Sequence, residues 1–285
     1  ISTCMPQTGS MAIPGGVVFS SMGPVYADPT DAPPAYAARV SDRPKPTRSA
    51  RTPDDRKLLM QQPFAESTFL ESDAWRALRI MGEFIEGFDT LARLGPAVTI
   101  FGSARTKPDD PTYGHARELA AKLSHQGFTV ITGGGPGIME AANRGAKEAD
   151  GVSVGLAVEL PHEHGPNPYV DIAQYFRYFF VRKTMFVKYA QAFVIFPGGF
   201  GTFDELFESL TLVQTGKIDH FPIILFGSEY WTGLLEWLGS EVVSRGNISE
   251  IDLDLLRISD DIDEIVEIIA ESYRTRGDDS GSEDI

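Results

Sequence analysis

Between residues 97 and 245 the apolar residues follow two alternating rhythms. Short, nearly unbroken apolar runs fall at 97–101, 128–132, 153–158, 192–196 and 222–226. Runs of that length, rich in Val, Ile and Phe, predict strands covered on both faces. Between them the spacing lengthens to a helical period, at about 112–126, 137–149, 179–190, 202–215 and 229–245, and again near 260–273. Strands alternating with helices predict an α/β fold, a Rossmann-like, doubly wound parallel sheet with flanking helices on both faces. Ligands of such sheets sit beyond the carboxyl ends of the strands.

A longer helical pattern occupies 64–94. Trp75, Leu78, Arg79, Gly82, Ile85 and Phe88 mark one face of it, and Gly95-Pro96 stops it. Residues 1–62 are rich in Pro, Ser, Asp and Arg without a sustained period, which predicts a disordered or loosely attached tail. The expected organisation is this tail, a nucleotide-binding catalytic domain with its leading helix over 63–274, and a disordered acidic tail over 275–285.

Charge and composition narrow the function. A formal net charge of −15 argues against a broad basic face for nucleic acid, but leaves room for a small anionic ligand. The lone cysteine, Cys4, permits no intramolecular disulfide, so a reducing, cytoplasmic compartment is the simpler expectation. No uninterrupted apolar stretch reaches about 18 residues, so no membrane partner is expected. The first residues lack a basic region, and Pro14-Gly15-Gly16 interrupts the apolar part, unlike a signal peptide.

The chemistry gathers at two glycine-rich turns, each between a predicted strand and a predicted helix. The first is Thr132-Gly133-Gly134-Gly135-Pro136-Gly137-Ile138-Met139-Glu140; the second is Pro197-Gly198-Gly199-Phe200-Gly201-Thr202. Glycine lets an anion approach backbone amides, and a helix N-terminus offers free N–H groups with a partial positive charge. Together they suit a phosphate. The first turn fails the dinucleotide fingerprint, since its third glycine position is Ile138 or Glu140 depending on the start, and no Walker A pattern occurs. The bland alternative is that the glycines serve only tight turns.

Charged residues nearby each have two readings. Thr202-Phe203-Asp204-Glu205 spells a capping box, yet Glu205 also sits where a carboxylate could activate water. Behind it, Phe203, Leu206, Phe207, Leu210 and Val213 are spaced as a buried stripe. Arg182-Lys183 is either a solvated helix face or a phosphate-holding pair. His162-Glu163-His164 lacks a third spaced ligand and reads as a loop rather than a metal site. No G-x-S-x-G elbow occurs, so a covalent serine mechanism has no support.

With these residues assembled, the sequence resembles the "lonely guy" family of cytokinin riboside 5′-monophosphate phosphoribohydrolases, older records of which carry the name lysine-decarboxylase-like. The resemblance runs from about residue 97 to 238 and rests on P-G-G-x-G-T-x-x-E, met by Pro197, Gly198, Gly199, Gly201, Thr202 and Glu205. Arg182-Lys183 with Met185, the turn from Thr132 to Met139, and Phe101-Gly102-Ser103 support it. The resemblance implies Arg182 and Glu205 as the catalytic pair. It implies Ser103, Gly134, Gly135, Met139, Gly198, Gly199, Gly201 and Thr202 around the nucleotide, with Lys183, Glu163 and Thr211 as further contacts. It implies no metal or organic cofactor, a nucleoside 5′-monophosphate as partner (AMP or N6-prenylated AMP), and a homo-oligomer, dimer or hexamer. The long extensions match the longer bacterial branch of the family.

The implied reaction cleaves the N-glycosidic bond to free base and ribose 5-phosphate. Three other readings stay open: a general purine or pyrimidine nucleotide nucleosidase, a molybdenum-cofactor carrier of the same fold, and a lysine decarboxylase. The last would need a pyridoxal phosphate site, and no pyridine partner for Lys183 or Lys188 is evident.

Overall fold

The computed structural model describes residues 58–59, 73–158, 165–218 and 221–279, all within a compact unit spanning Ala50–Ile285. Its elements in chain order are α1 (Asp73–Leu91), β1 (Ala97–Phe101), α2 (Pro111–His125), β2 (Thr129–Thr132), α3 (Ile138–Glu148) and β3 (Ser153–Val158). There follow β4 (Ile172–Phe176), α4 (Phe179–Tyr189), β5 (Ala190–Ile195), α5 (Phe200–Gln214), β6 (Ile223–Leu225) and α6 (Ser228–Trp237). A widened π turn (Leu238–Val243), the short α7 (Glu250–Leu253), β7 (Leu256–Ile258) and α8 (Ile262–Asp279) complete the unit.

All seven strands pair in parallel, in the order β4-β3-β2-β1-β5-β6-β7. The chain builds outward from β1 to β4, then crosses back to the other side of β1 for β5. Loops leaving β1 and β5 therefore turn to opposite faces, and a crevice opens between them at the carboxyl edge.

Alternation along the central strands splits the core in two. Val98, Ile100, Ala192 and Val194 face one side, packed with Leu119 and Leu123 of α2, Ile138 of α3 and Ile265 and Ile269 of α8. Phe101, Phe193 and Ile195 face the other, packed with Leu91 of α1, Val181 and Met185 of α4, Leu206 of α5 and Trp231 of α6. Period-two alternation inside continuous apolar runs is what a sheet sandwiched by helices requires.

The doubly wound parallel sheet is as the hydrophobic pattern predicts, with β1 and β3 at the expected bounds. Two strands, β4 and β7, were not anticipated, and they are the two edges of the sheet. An edge strand is covered less completely: β4 alternates buried Gln174 and Phe176 with exposed Ala173 and Tyr175, and β7 carries an exposed Arg257 at its centre.

Three further expectations need correction. The stripe assigned to α1 does not face the sheet: Leu78, Ile85 and Phe88 are exposed, as is Met81. Arg76, Gly87 and Leu91 are buried instead, with Ile80 and Phe84 partly so. Gly87 permits this packing, because a Cβ there would lie 2.8 Å from the Met185 side chain. The packed face includes Glu83, whose carboxylate accepts the Arg177 N–H at 3.2 Å, so the α1 contact is partly polar and invisible to an apolar count. Secondly, α8 runs on to Asp279, so 275–279 are helical rather than part of a tail. Thirdly, of the expected tail over 1–62 only Leu58 and Leu59 lie among the described residues; both are helical, and Leu58 packs on the second core. No helix among the described residues is long and apolar enough to cross a membrane.

Candidate active site

A cleft of about 850 Å³ opens at the carboxyl edge of the sheet, over β1, β2 and β5. Its floor is stitched by backbone bonds. After β1, the Ser103 N–H donates to the Pro197 carbonyl at 3.0 Å, and the Ser103 carbonyl accepts the Ile138 N–H at 3.1 Å. One residue thus ties the loop after β1 to the start of both glycine-led helices. Gly137 lets the backbones meet: it has φ +71°, and a Cβ there would come within 2.3 Å of the Ser103 carbonyl oxygen. The Ser103 hydroxyl oxygen accepts the Arg105 N–H at 3.1 Å, and the side chain lines the cleft.

The second glycine turn forms one wall. α5 begins at Phe200, with Gly199 at its N-cap and no side-chain cap. The capping box expected at Thr202–Glu205 is therefore not formed. Thr202 is the third residue of the helix, its N–H already donates to the Gly199 carbonyl at 2.9 Å, and Glu205 lies a full turn inside. Glycine frees the chain to begin the helix earlier than the capping signal implied. The Thr202 hydroxyl sits over Gly198, where a Cβ would come within 2.0 Å of it. At Gly199 and Gly201 a Cβ would meet nothing within 4 Å, and both line the cleft. Neither glycine is demanded by packing, and no side chain caps the first N–H groups of α5, so this helix start favours an anion.

The expected stripe on α5 is also only partly right. Thr202, Glu205, Leu206 and Ser209 are its buried residues, whereas Phe207 is 39% exposed. The buried face thus carries polar groups where it borders the cleft. Glu205 is 5% exposed. Burial pushes its carboxyl up to about 7, against the Lys183 and Arg182 charges, which pull it down. Glu208 and Asp204 push the same way as burial.

Arg182, on α4, lines the cleft with Glu205. Its guanidinium lies 5.0 Å from the Phe179 ring centroid and 5.5 Å from that of Phe186. A Cβ on Gly133 would be 4.0 Å from its Nη1, so the cation lies beside the first glycine turn. Aromatic faces around a planar cation fix its direction.

Lys183 points elsewhere. Its ammonium pairs with Asp204 at 3.0 Å and with Glu208, and it lines a shallow groove with Thr211 along α5. Burial works against its charge, but the bonds to Glu208 and Asp204 outweigh it and hold the ammonium above the usual lysine range. Lys183 and Thr211, expected to touch the nucleotide, line this neighbouring groove and not the cleft itself.

The first glycine turn contributes less than expected. Gly134 donates its N–H to the Thr132 hydroxyl at 2.9 Å, and its carbonyl accepts the Asn167 N–H at 2.8 Å. The Gly135 carbonyl accepts from the Asn167 amide at 3.0 Å, and Asn167 also donates to the buried Asn143 at 2.9 Å. This polar network satisfies the turn internally. Gly133 and Met139, not Gly134 and Gly135, line the cleft. Arg105, Asp110 and Tyr230 line it too and were missed by sequence reasoning. The signal was available in the rule that ligands meet the loops after strands, since Arg105 follows β1 and Tyr230 follows β6. Glu163 and the His162-Glu163-His164 cluster lie outside the described residues. Among the described residues no group of three or more His, Cys, Asp or Glu could hold a metal ion.

A profile described as "Possible lysine decarboxylase" matches residues 139–269. The cytokinin riboside 5′-monophosphate phosphoribohydrolase of Mycobacterium marinum is 30% identical over 166 residues, covering 56% of this chain and 88% of the relative. The pyrimidine/purine nucleotide 5′-monophosphate nucleosidase of Escherichia coli K12 is 31% identical over 125 residues, 40% of this chain and 28% of the relative. Among solved structures, the molybdenum cofactor binding protein of Rippkaea orientalis superposes with a TM-score of 0.44 at 23% identity, over 62% of this chain and 94% of that one. The glycine-led cleft, the Arg182 and Glu205 pair on its wall and the near-complete coverage of the mycobacterial relative agree: this chain belongs to the lonely guy family of phosphoribohydrolases.

Proposed function

We propose that the protein hydrolyses the N-glycosidic bond of a nucleoside 5′-monophosphate, releasing the base and ribose 5-phosphate. The observation that carries this reading is Glu205, a buried carboxyl with its proton affinity raised to about 7, on the wall of a cleft that also presents Arg182 and a bare helix start. The 5′-phosphate takes the amides of Gly199 and Gly201 at the start of α5, with the Ser103 hydroxyl beside them. Arg182 orients the ribose phosphate or assists the departing base.

Cleavage builds positive charge on the ribose, as in glycoside hydrolysis. Ionised Glu205 stabilises that charge and takes a proton from the attacking water. The electron pair of the broken C–N bond leaves with the base, which takes up a proton from solvent; the water oxygen bonds to the ribose carbon, and Glu205 returns the water's proton to solvent, so one water is consumed. Phosphate contacts remote from that carbon supply positioning. Lys183 is assigned a different task from the one its position in the motif implies: it sets the charge around Glu205 from the groove beside the cleft. No step requires a metal or an organic cofactor.

The preferred base is a finer matter, with AMP and N6-prenylated AMP both candidates. The test is base release from AMP and from isopentenyladenosine monophosphate, followed by chromatography, with Glu205→Gln as control. Release by the wild type and collapse in the variant support the reading, and the ratio of the two rates selects between a cytokinin enzyme and a general nucleosidase. Binding without release from either nucleotide overturns it.

A further inference from the structure

The turn that carries the bare amides contains a peptide with little intrinsic preference for direction. Gly198 and Gly199 flank it, and with a side chain on neither, rotation of the peptide plane between them meets no Cβ barrier. The described peptides are all trans, so the Gly198 carbonyl and the Gly199 N–H point in opposite directions within one plane. One orientation offers the Gly199 N–H to an anion at the helix start. The flipped one turns a carbonyl oxygen toward the same place, where its lone pairs repel negative charge.

A side chain from another element fixes the choice. The Tyr230 hydroxyl, on α6, donates to the Gly198 carbonyl at 2.6 Å. Tyr230 is itself held. Its ring packs edge-on against Trp231, centroids 4.8 Å apart, and its N–H donates to the Gly227 carbonyl at 3.0 Å. Gly227 and Ser228 donate their N–H groups to Asp260 at 2.9 and 2.8 Å, which anchors the start of α6. Gly227, at φ +97°, abuts Pro197, where an added Cβ would be 3.1 Å from the proline ring. The α6 start therefore presses on the residue before the turn while its tyrosine grips the turn's carbonyl.

We infer that Tyr230 is a positioning residue for phosphate recognition: its hydroxyl holds the Gly198 carbonyl and so fixes the Gly198–Gly199 peptide in the orientation that leaves the Gly199 N–H for the 5′-phosphate. The inference rests on the nucleotide reading of the cleft. It predicts an effect confined to ligands that bear a phosphate.

The test compares wild type with Tyr230→Phe, which keeps the ring and its packing on Trp231 and removes only the hydroxyl. Loss of one such bond raises KM for AMP and Ki for inorganic phosphate together, by about three- to tenfold. kcat and the Ki of adenosine, which has no phosphate, stay unchanged, and Tm falls by no more than a few degrees, about what one hydrogen bond contributes. Equal KM in both proteins, or weakening of adenosine and AMP alike, overturns the inference and leaves the nucleotide reading standing. If the wild type binds AMP without turning it over, Kd from calorimetry replaces KM and the same comparison decides. A wild type that binds no AMP at all overturns the nucleotide reading and the role of Tyr230 with it.

Discussion

The Lys183 ammonium lies 3.0 Å from the Asp204 carboxylate, in a groove along α5 that adjoins the cleft at Phe203. Its charge nonetheless lowers the proton affinity of Glu205 more than any other neighbour. A residue that acts by charge and not by touch makes a distinctive prediction. Lys183→Gln removes the cation and frees Asp204 and Glu208, both of which push the Glu205 carboxyl up. The rising limb of the pH–activity profile, expected near pH 7 in the wild type, moves to higher pH, while KM for AMP changes by less than about threefold. A large rise in KM with the limb unmoved would show that Lys183 contacts the nucleotide.

Glu205 also links stability to pH. Its carboxyl ionises near 4.5 in an unfolded chain and near 7 in the folded protein. Between those values the folded state keeps a proton that the unfolded state has released, so stability falls as pH rises and the full cost stands above 7. At about 1.4 kcal/mol per unit, the cost is about 3 kcal/mol. Glu205→Gln, which removes the charge, is expected to be more stable than wild type by up to that amount at pH 8 and equal to it at pH 4. Urea unfolding at the two pH values measures the difference. The same variant loses about 100-fold or more in base release.

The two kinds of glycine in the site separate on substitution. Gly137 has φ +71° and a Cβ position 2.3 Å from the Ser103 carbonyl, so Gly137→Ala costs about 2–4 kcal/mol. Gly201 sits in α5 with nothing within 4 Å of its Cβ position. Gly201→Ala therefore keeps or slightly raises Tm, by the helix preference of alanine, and raises KM about tenfold by placing a methyl group on the cleft wall. Thermal melts and steady-state kinetics on the pair check both halves.

The exposed stripe Leu78, Met81, Ile85 and Phe88 on α1 is the surface on which the homo-oligomer implied by the family resemblance is to be tested. The three-four-three spacing forms one apolar strip. Basic Arg79 on its amino-terminal half, and Glu86 and Asp89 on its carboxyl-terminal half, suit a second copy lying antiparallel. Ile85→Glu is expected to lower the mass measured by light scattering to that of a single chain. A wild type already monomeric at micromolar concentration rules out this surface.

Much of the fold was legible along the chain. The continuous runs that became β1, β3 and β5 are strands covered on both faces, and burial on two faces leaves a pattern that a single sequence reveals. The edge strands β4 and β7 leave no such run, because one flank of each meets no neighbouring strand and their residues alternate with polar and exposed ones. The glycine turns were legible for the same local reason: an anion-accepting helix start needs residues without side chains, whatever the rest of the molecule does.

Direction was not legible. Arg182 and Lys183 are neighbours in sequence, yet α4 turns one toward the cleft and the other to the acids of α5, because successive helical residues diverge by about 100°. Gly133 and Gly134 are adjacent too, but only the first lines the cleft, since the Asn143 and Asn167 network engages the second. The grip of Tyr230 on Gly198 joins residues 32 apart, one on a helix and one in a turn, after different strands. The sequence by itself determined which chemical groups are available and which local shapes they allow. Only the tertiary structure decided which of them share the cleft and how far burial raises Glu205, because distance and desolvation depend on elements that meet across the sheet and not along the chain.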